Sequence, residues 1–155
     1  METVKLDTLD QKLLTALQTD CRQTTKMLSL KLNLSTTAVH ERIKKLEKSG
    51  VIAGYVAIVD QVRVDKNFVV FCHIKLQQHK QALLTGFEQA VSLLPEVLEC
   101  YHVSGDYDYI LKIAVRDMEA YRKFLVEKLT TIDYIASTHS IFKINEVKRS
   151  HVLAF

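Results

Sequence analysis

Residues 35–48 place hydroxyls, an imidazole and several cations in an order that suits duplex DNA. Ser35, Thr36, Thr37 and His40 come first and can exchange hydrogen bonds with base edges. Arg42, Lys44, Lys45 and Lys48 follow and can meet phosphates. A groove-reading helix needs both sets, because phosphate contacts position the helix and base contacts specify the sequence. The plainer reading is a solvated helix face, and a charged face by itself favours that reading. Its surroundings reverse the preference. Residues 22–48 hold seven Lys/Arg against Glu41 and Glu47, a local charge of +5, whereas residues 63–155 hold twelve Lys/Arg against eleven Asp/Glu. Basicity concentrated in one part of a chain is the distribution that contact with a polyanion requires.

A second constellation is SGDYDY, Ser104 to Tyr109, with two carboxylates, Asp106 and Asp108, beside a glycine. Such a turn can offer backbone N–H groups to an anion and carboxylates to a cation, and an α-amino acid carries both. The residues alone lean toward an acidic hairpin tip in which Asp106 serves only the turn. No HExxH, GxSxG, P-loop or GxGxxG motif occurs, and no serine or cysteine has a recognisable base beside it, so catalysis lacks support. The histidines at 40, 73, 79, 102, 139 and 151 show no tight ligand pair, and neither a metal nor a cofactor is expected. Cys21, Cys72 and Cys100 are odd in number and lack CxxC spacing, which favours reduced thiols over a disulfide framework.

Helical spacing of Leu6, Leu9, Leu13, Leu14 and Leu17, with Asp7 as cap and Asp10 in the first turn, predicts a first helix. Thr24 then caps a short helix with Met27, Leu28 and Leu32 on its apolar side. Asn33 supplies the left-handed turn, and Ser35 caps a third helix with Val39, Ile43 and Leu46 on one face. Ser49-Gly50 ends it. Periodicity then becomes strand-like at 52–59, polar at 60–67, and strand-like again at 68–77. A helix at about 80–93 and strands at 97–104 and 107–115 follow, the strands joined through Gly105-Asp106 as a tight hairpin. A helix at 117–129 and a strand at 135–147 complete the chain.

The pattern predicts an α+β fold. A three-helix, winged helix-turn-helix domain (1–51) leads through a linking strand and hinge (52–67) to a ferredoxin-like βαββαβ domain (68–155). Both helices of the second domain would cover one sheet face. The other would display Val69, Phe71, Tyr101, Val103 and Ile110 or their neighbours, an apolar patch best covered by a second copy. With 48% apolar and 25% charged residues, one proline and no apolar run of about 18 residues, a soluble, cytoplasmic protein without membrane contact is expected.

Residues 6–60 and 99–125 resemble the Lrp/AsnC family of transcription regulators. Two motifs carry the likeness: R-I-x-x-L-E-x-x-G-V-I from Arg42 to Ile52, and V-S-G-x-x-D-Y from Val103 to Tyr109. The resemblance implies double-stranded DNA as partner and dimers formed through the linking strand and the sheet. Four dimers would close into an octameric disc. It also implies a small effector, an amino acid, bound between dimers at Ser104, Gly105, Asp106, Tyr107 and Asp108, with a weaker match at Thr138 and Ser140. Asn33 stands where the family often has glycine, Met27 replaces a capping glutamate, and Thr36 and Gln61 stand at frequent prolines. Because Thr36 lies where bases are read, the operator cannot be carried over. The alternative is an architectural DNA-wrapping protein with little sequence preference and no ligand.

Overall fold

The computed structural model describes residues 4–155, and each N-cap expected in the first third forms. The Asp7 carboxylate accepts from the Asp10 N–H at 2.7 Å and the Asp10 carboxylate accepts from the Asp7 N–H at 3.4 Å. This reciprocal box opens α1 (Thr8–Thr19). Thr24 Oγ1 accepts from the Met27 N–H and opens α2 (Thr25–Leu32). Ser35 Oγ accepts from the Ala38 N–H at 3.1 Å and opens α3 (Thr36–Lys48). Caps of this kind contribute about 1 kcal/mol each. Between α2 and α3 the backbone turns at Asn33 with φ 53°, a left-handed conformation that asparagine tolerates better than most residues. Leu13, Leu14, Ala16 and Leu17 of α1 pack with Leu28 and Leu32 of α2 and Val39 and Leu46 of α3 in one buried cluster. A fully buried leucine is worth about 1.5–3 kcal/mol, so this small cluster carries most of the stability of the three-helix unit.

The chain divides into two compact units, one running through Ile58 and including Lys148–Phe155, the other Val59–Val147. By contacts the C-terminal tail therefore groups with the helices. Gln18 explains the grouping: its amide oxygen accepts from the Leu153 N–H at 2.7 Å and its amide nitrogen donates to the Leu153 carbonyl at 3.3 Å. The expected linking strand at 52–59, and with it any wing, forms no ladder in the single chain. β-Branched residues favour a strand only where a neighbouring backbone is available. Here Val56, Ile58 and Val59 stay exposed, while Tyr55 donates its hydroxyl to Glu47.

The second unit is built on β1 (Phe68–Leu76), α4 (Gln81–Ser92), β2 (Val97–His102), β3 (Tyr109–Val115), α5 (Met118–Phe124) and β4 (Ile135–Phe142). The strands lie in the order β2-β3-β1-β4 with antiparallel neighbours throughout, the ferredoxin-like arrangement. Alternation along β1 sends Val70, Cys72, Ile74 and Leu76 into the helix-covered face, against Phe87 and Val91 of α4 and Tyr121 and Phe124 of α5.

Three element boundaries differ from expectation. β4 ends at Phe142 instead of 147: Lys143 N–H still donates to Val69 carbonyl, but β1 begins at Phe68 and offers no partner beyond. The helix expected over 117–129 is α-helical only to Phe124 and continues as a single π turn, Leu125–Leu129. The tight Gly105-Asp106 hairpin is instead a loop over 103–108, closed by the Val103 N–H donating to the Asp108 carbonyl. Asp108 is the reason: its own N–H donates to the Ile74 carbonyl, which draws the chain toward β1 and away from β2. Gly105 sits at φ 122°, a conformation that a side chain would strain.

Candidate functional site

α3 has two chemically distinct flanks. On the inner one, Val39 and Leu46 are buried with Ile43 beside them, fixing the helix against α1 and α2. Arg42 belongs to this side. Its Nη1 lies 2.7 Å from Asp7 Oδ2 and 2.6 Å from Asp10 Oδ1, and Asp10 is 1% exposed. The Asp10 N–H and the Arg42 guanidinium hold the Asp7 carboxyl below its usual range, and the two carboxylates in turn favour protonated Arg42. Arg42, expected to meet phosphates, thus has its Nη1 occupied by the buried Asp10 carboxylate and by Asp7. Lys45 Nζ lies 3.7 Å from Asp10 Oδ2 with its side chain exposed, so it is only partly diverted.

The outer flank presents Thr36, Thr37, His40, Lys44 and Lys48, all exposed. Among the described residues, no ion pair engages Lys44 or Lys48. Ser35 is also exposed, but its hydroxyl is the α3 cap, so its first task is to hold the helix start. Thr36 and Thr37 follow directly at the N-terminal turn, where a recognition helix meets base edges. The lysines continue the same side at i, i+4 spacing, which sets cations in a row beside the hydroxyls.

In the second unit the candidate effector residues fall into three places. Ser104, Gly105 and Asp106 form the exposed tip of the 103–108 loop. Tyr107 turns onto the sheet face not covered by helices, its ring 4.8 Å from that of His73. Asp108 points inward: Oδ2 accepts from the Leu76 N–H and Oδ1 lies against His79 Nε2, both at 2.7 Å. Burial by itself would raise the Asp108 carboxyl, but the Leu76 N–H and His79 outweigh it and hold the group below the usual carboxylate range. Asp108 is thus a bracket between loop and strand end, and of the two loop carboxylates Asp106 is the one left facing solvent.

Thr138 and Ser140 pair with Ile74 and Cys72, which puts them on the helix-covered face. The Ser140 and Tyr121 hydroxyls lie 2.5 Å apart. Burial pushes the Tyr121 hydroxyl up to about 12, so it stays protonated in that bond. Ser140 therefore has an internal partner. The residues that sequence reasoning missed are Asp7 and Asp10 as partners of Arg42, and His79 as partner of Asp108. Each pairing joins distant positions, and no local pattern announces it.

Residues 6–47 match the model of the AsnC-type helix-turn-helix domain, and residues 69–153 match the model of the Lrp/AsnC ligand binding domain. The chain belongs to the Lrp/AsnC family. It is an Lrp/AsnC-type transcription regulator with a helix-turn-helix unit and a ligand-binding unit. It is 39% identical over 148 residues to the leucine-responsive regulatory protein of Escherichia coli K12, covering 96% of this chain and 90% of that one. The crystal structure of an AsnC family regulator from Agrobacterium tumefaciens is similar with a TM-score of 0.92 at 38% identity, covering 96% of both chains. A Neisseria meningitidis transcriptional regulator solved as a complex with L-methionine gives the same TM-score and coverage at 30% identity. Among the described residues, no helix of this Lrp/AsnC protein is long and apolar enough to cross a membrane.

Proposed function

We propose that this regulator sets the outer flank of α3 into the major groove of duplex DNA and that an amino acid bound at the 103–108 loop modulates the binding. The observation that carries the proposal is the separation of charges on α3. Arg42 is retained by Asp7 and Asp10, while Lys44 and Lys48 stand free beside Thr36, Thr37 and His40. A helix that needed solubility alone has no use for hydroxyls gathered at its first turn and cations after them.

The effector half rests on the loop tip. Asp106 offers a carboxylate to an ammonium group, and the backbone around Gly105 offers N–H groups to a carboxylate. The relative solved with L-methionine supports this class of ligand. Regulation requires the ligand to prefer one of two assemblies, because only differential affinity shifts an equilibrium.

Assembly follows from two unsatisfied surfaces. Segment 52–59 has strand composition but no neighbouring strand. The open sheet face displays Phe71, Ile110, Tyr101 and Ile141, the last two 54% and 43% exposed, around the Lys112–Glu99 ion pair. Homodimerisation through both surfaces, with dimers associating further toward an octamer in the cytoplasm, is the arrangement that covers them.

The test is a mobility-shift titration on specific and random duplexes at fixed salt, with and without each of the twenty amino acids. Specific DNA retained over random competitor, with the shift altered by at least one amino acid, supports the proposal. Equal competition and no ligand response would establish the architectural alternative in its place.

A further inference from the structure

The open sheet face carries a feature that neither DNA binding nor the loop tip uses. His73 of β1 and His139 of β4 are direct cross-strand partners, and alternation sends both rings to this face. Their ring centroids are 6.2 Å apart, and the Tyr107 ring lies 4.8 Å from His73 and 6.1 Å from His139. Nδ1 of His73 is buried and has no hydrogen-bond partner. A buried polar nitrogen without a partner is unusual, and it lies on the inner side of a ring that is itself only half-buried. Among the described residues, no three His, Cys, Asp or Glu side chains of one chain are grouped to hold a metal ion. One chain therefore offers two imidazoles, half of a tetrahedral set.

We propose that His73 and His139, paired across β1 and β4 on the open sheet face, form half of a zinc site that the same two residues of a second copy complete. The inference rests on the sheet-to-sheet pairing proposed above and requires the two-fold axis of the dimer to pass beside this histidine pair, so that the two pairs meet. Zinc accepts neutral imidazole as a ligand and favours four ligands in a tetrahedron, with Zn–N distances of about 2.0–2.1 Å. Two imidazoles on one tetrahedral ion have centroids about 5 Å apart by the same bond lengths. The observed separation exceeds that by about one ångström, which a rotation of the exposed His139 ring closes. Such an ion would fasten the dimer from within and leave the loop tips free for the effector.

The test uses the full chain without a tag, freed of metal and titrated with Zn²⁺ by calorimetry, beside His73→Asn and His139→Asn, with sedimentation run with and without zinc. His139 is exposed, so its substitution leaves the core untouched, and circular dichroism confirms the fold of both variants. The expected result is one zinc per two chains. Affinity should fall in each variant by more than the roughly 10- to 100-fold typical of changes around a metal's ligands. A dimer that binds no zinc, or variants that bind it like the parent, would overturn the site and leave the sheet pairing standing. One zinc per chain would overturn the sharing. A chain that sediments as a monomer both with and without zinc would overturn the pairing itself, and the shared site with it.

Discussion

Two acidic corners of the molecule use the same chemistry to different ends. Beside α3, Asp7 and Asp10 cap each other's backbone and then both engage Nη1 of Arg42. In the loop before β3, Asp108 caps the Leu76 N–H and meets His79, while Asp106 remains outside at the tip. The first corner is a closed clamp that fixes the angle of the recognition helix. The second is a clamp with one carboxylate to spare. A charged side chain is therefore best judged by what its donors or acceptors already hold. By that measure Arg42 and Asp108 are structural, and Lys44, Lys48 and Asp106 are available for function.

The largest expected effect comes from opening the first clamp. Arg42→Ala leaves the buried Asp10 with only the exposed Lys45, 3.7 Å away, as its cation, and breaking a buried pair from one side costs up to about 3 kcal/mol. Urea unfolding should show that loss. A variant as stable as the parent would return Arg42 to the set of phosphate contacts. Opening the second clamp is milder. Asp108→Ala strips the Leu76 N–H of its acceptor, a loss of about 1–3 kcal/mol near neutral pH. The folded-state value of Asp108 lies below its unfolded one, so its contribution is fully present above about pH 4. It fades as the pH falls through the lowered value. The stability difference between parent and variant should therefore shrink in acid, and a difference that grows in acid would contradict the bracket.

How much of this was legible in the sequence depends on distance along the chain. The caps at Asp7, Thr24 and Ser35 and the turn at Asn33 act over three residues, and their residue types announce them. Alternation along β1 and the order of elements were equally plain. The partners of Arg42 lie 35 and 32 positions away, and Asp108 bonds a backbone 32 positions away, so no local pattern revealed either clamp. The loop shows the same cause: Gly105 announces a turn, but Asp108's distant bonds, not the glycine, set the loop's length. Segment 52–59 has strand-forming residues, yet a strand exists only where a second backbone meets it.

The smallest effect on stability, and the sharpest on regulation, belongs to the spare carboxylate. Asp106→Ala is a solvent-facing change and should alter stability by no more than about 0.5 kcal/mol. It should nevertheless abolish the melting-temperature rise given by the effector amino acid, because a ligand stabilises only a state it still binds. An undiminished rise in the variant would move the effector away from the loop tip.

The most direct test concerns the free flank of α3. DNA affinity measured across a range of salt concentrations, for the parent and for a chain carrying Lys44→Ala and Lys48→Ala, reads phosphate contact without reference to any operator. Each lost contact should lower the slope of log K against log salt by about 0.9, so the double variant should fall by about 1.8 while melting at the parent's temperature. An unchanged slope in a fully folded variant would contradict the assignment of that flank to the DNA backbone.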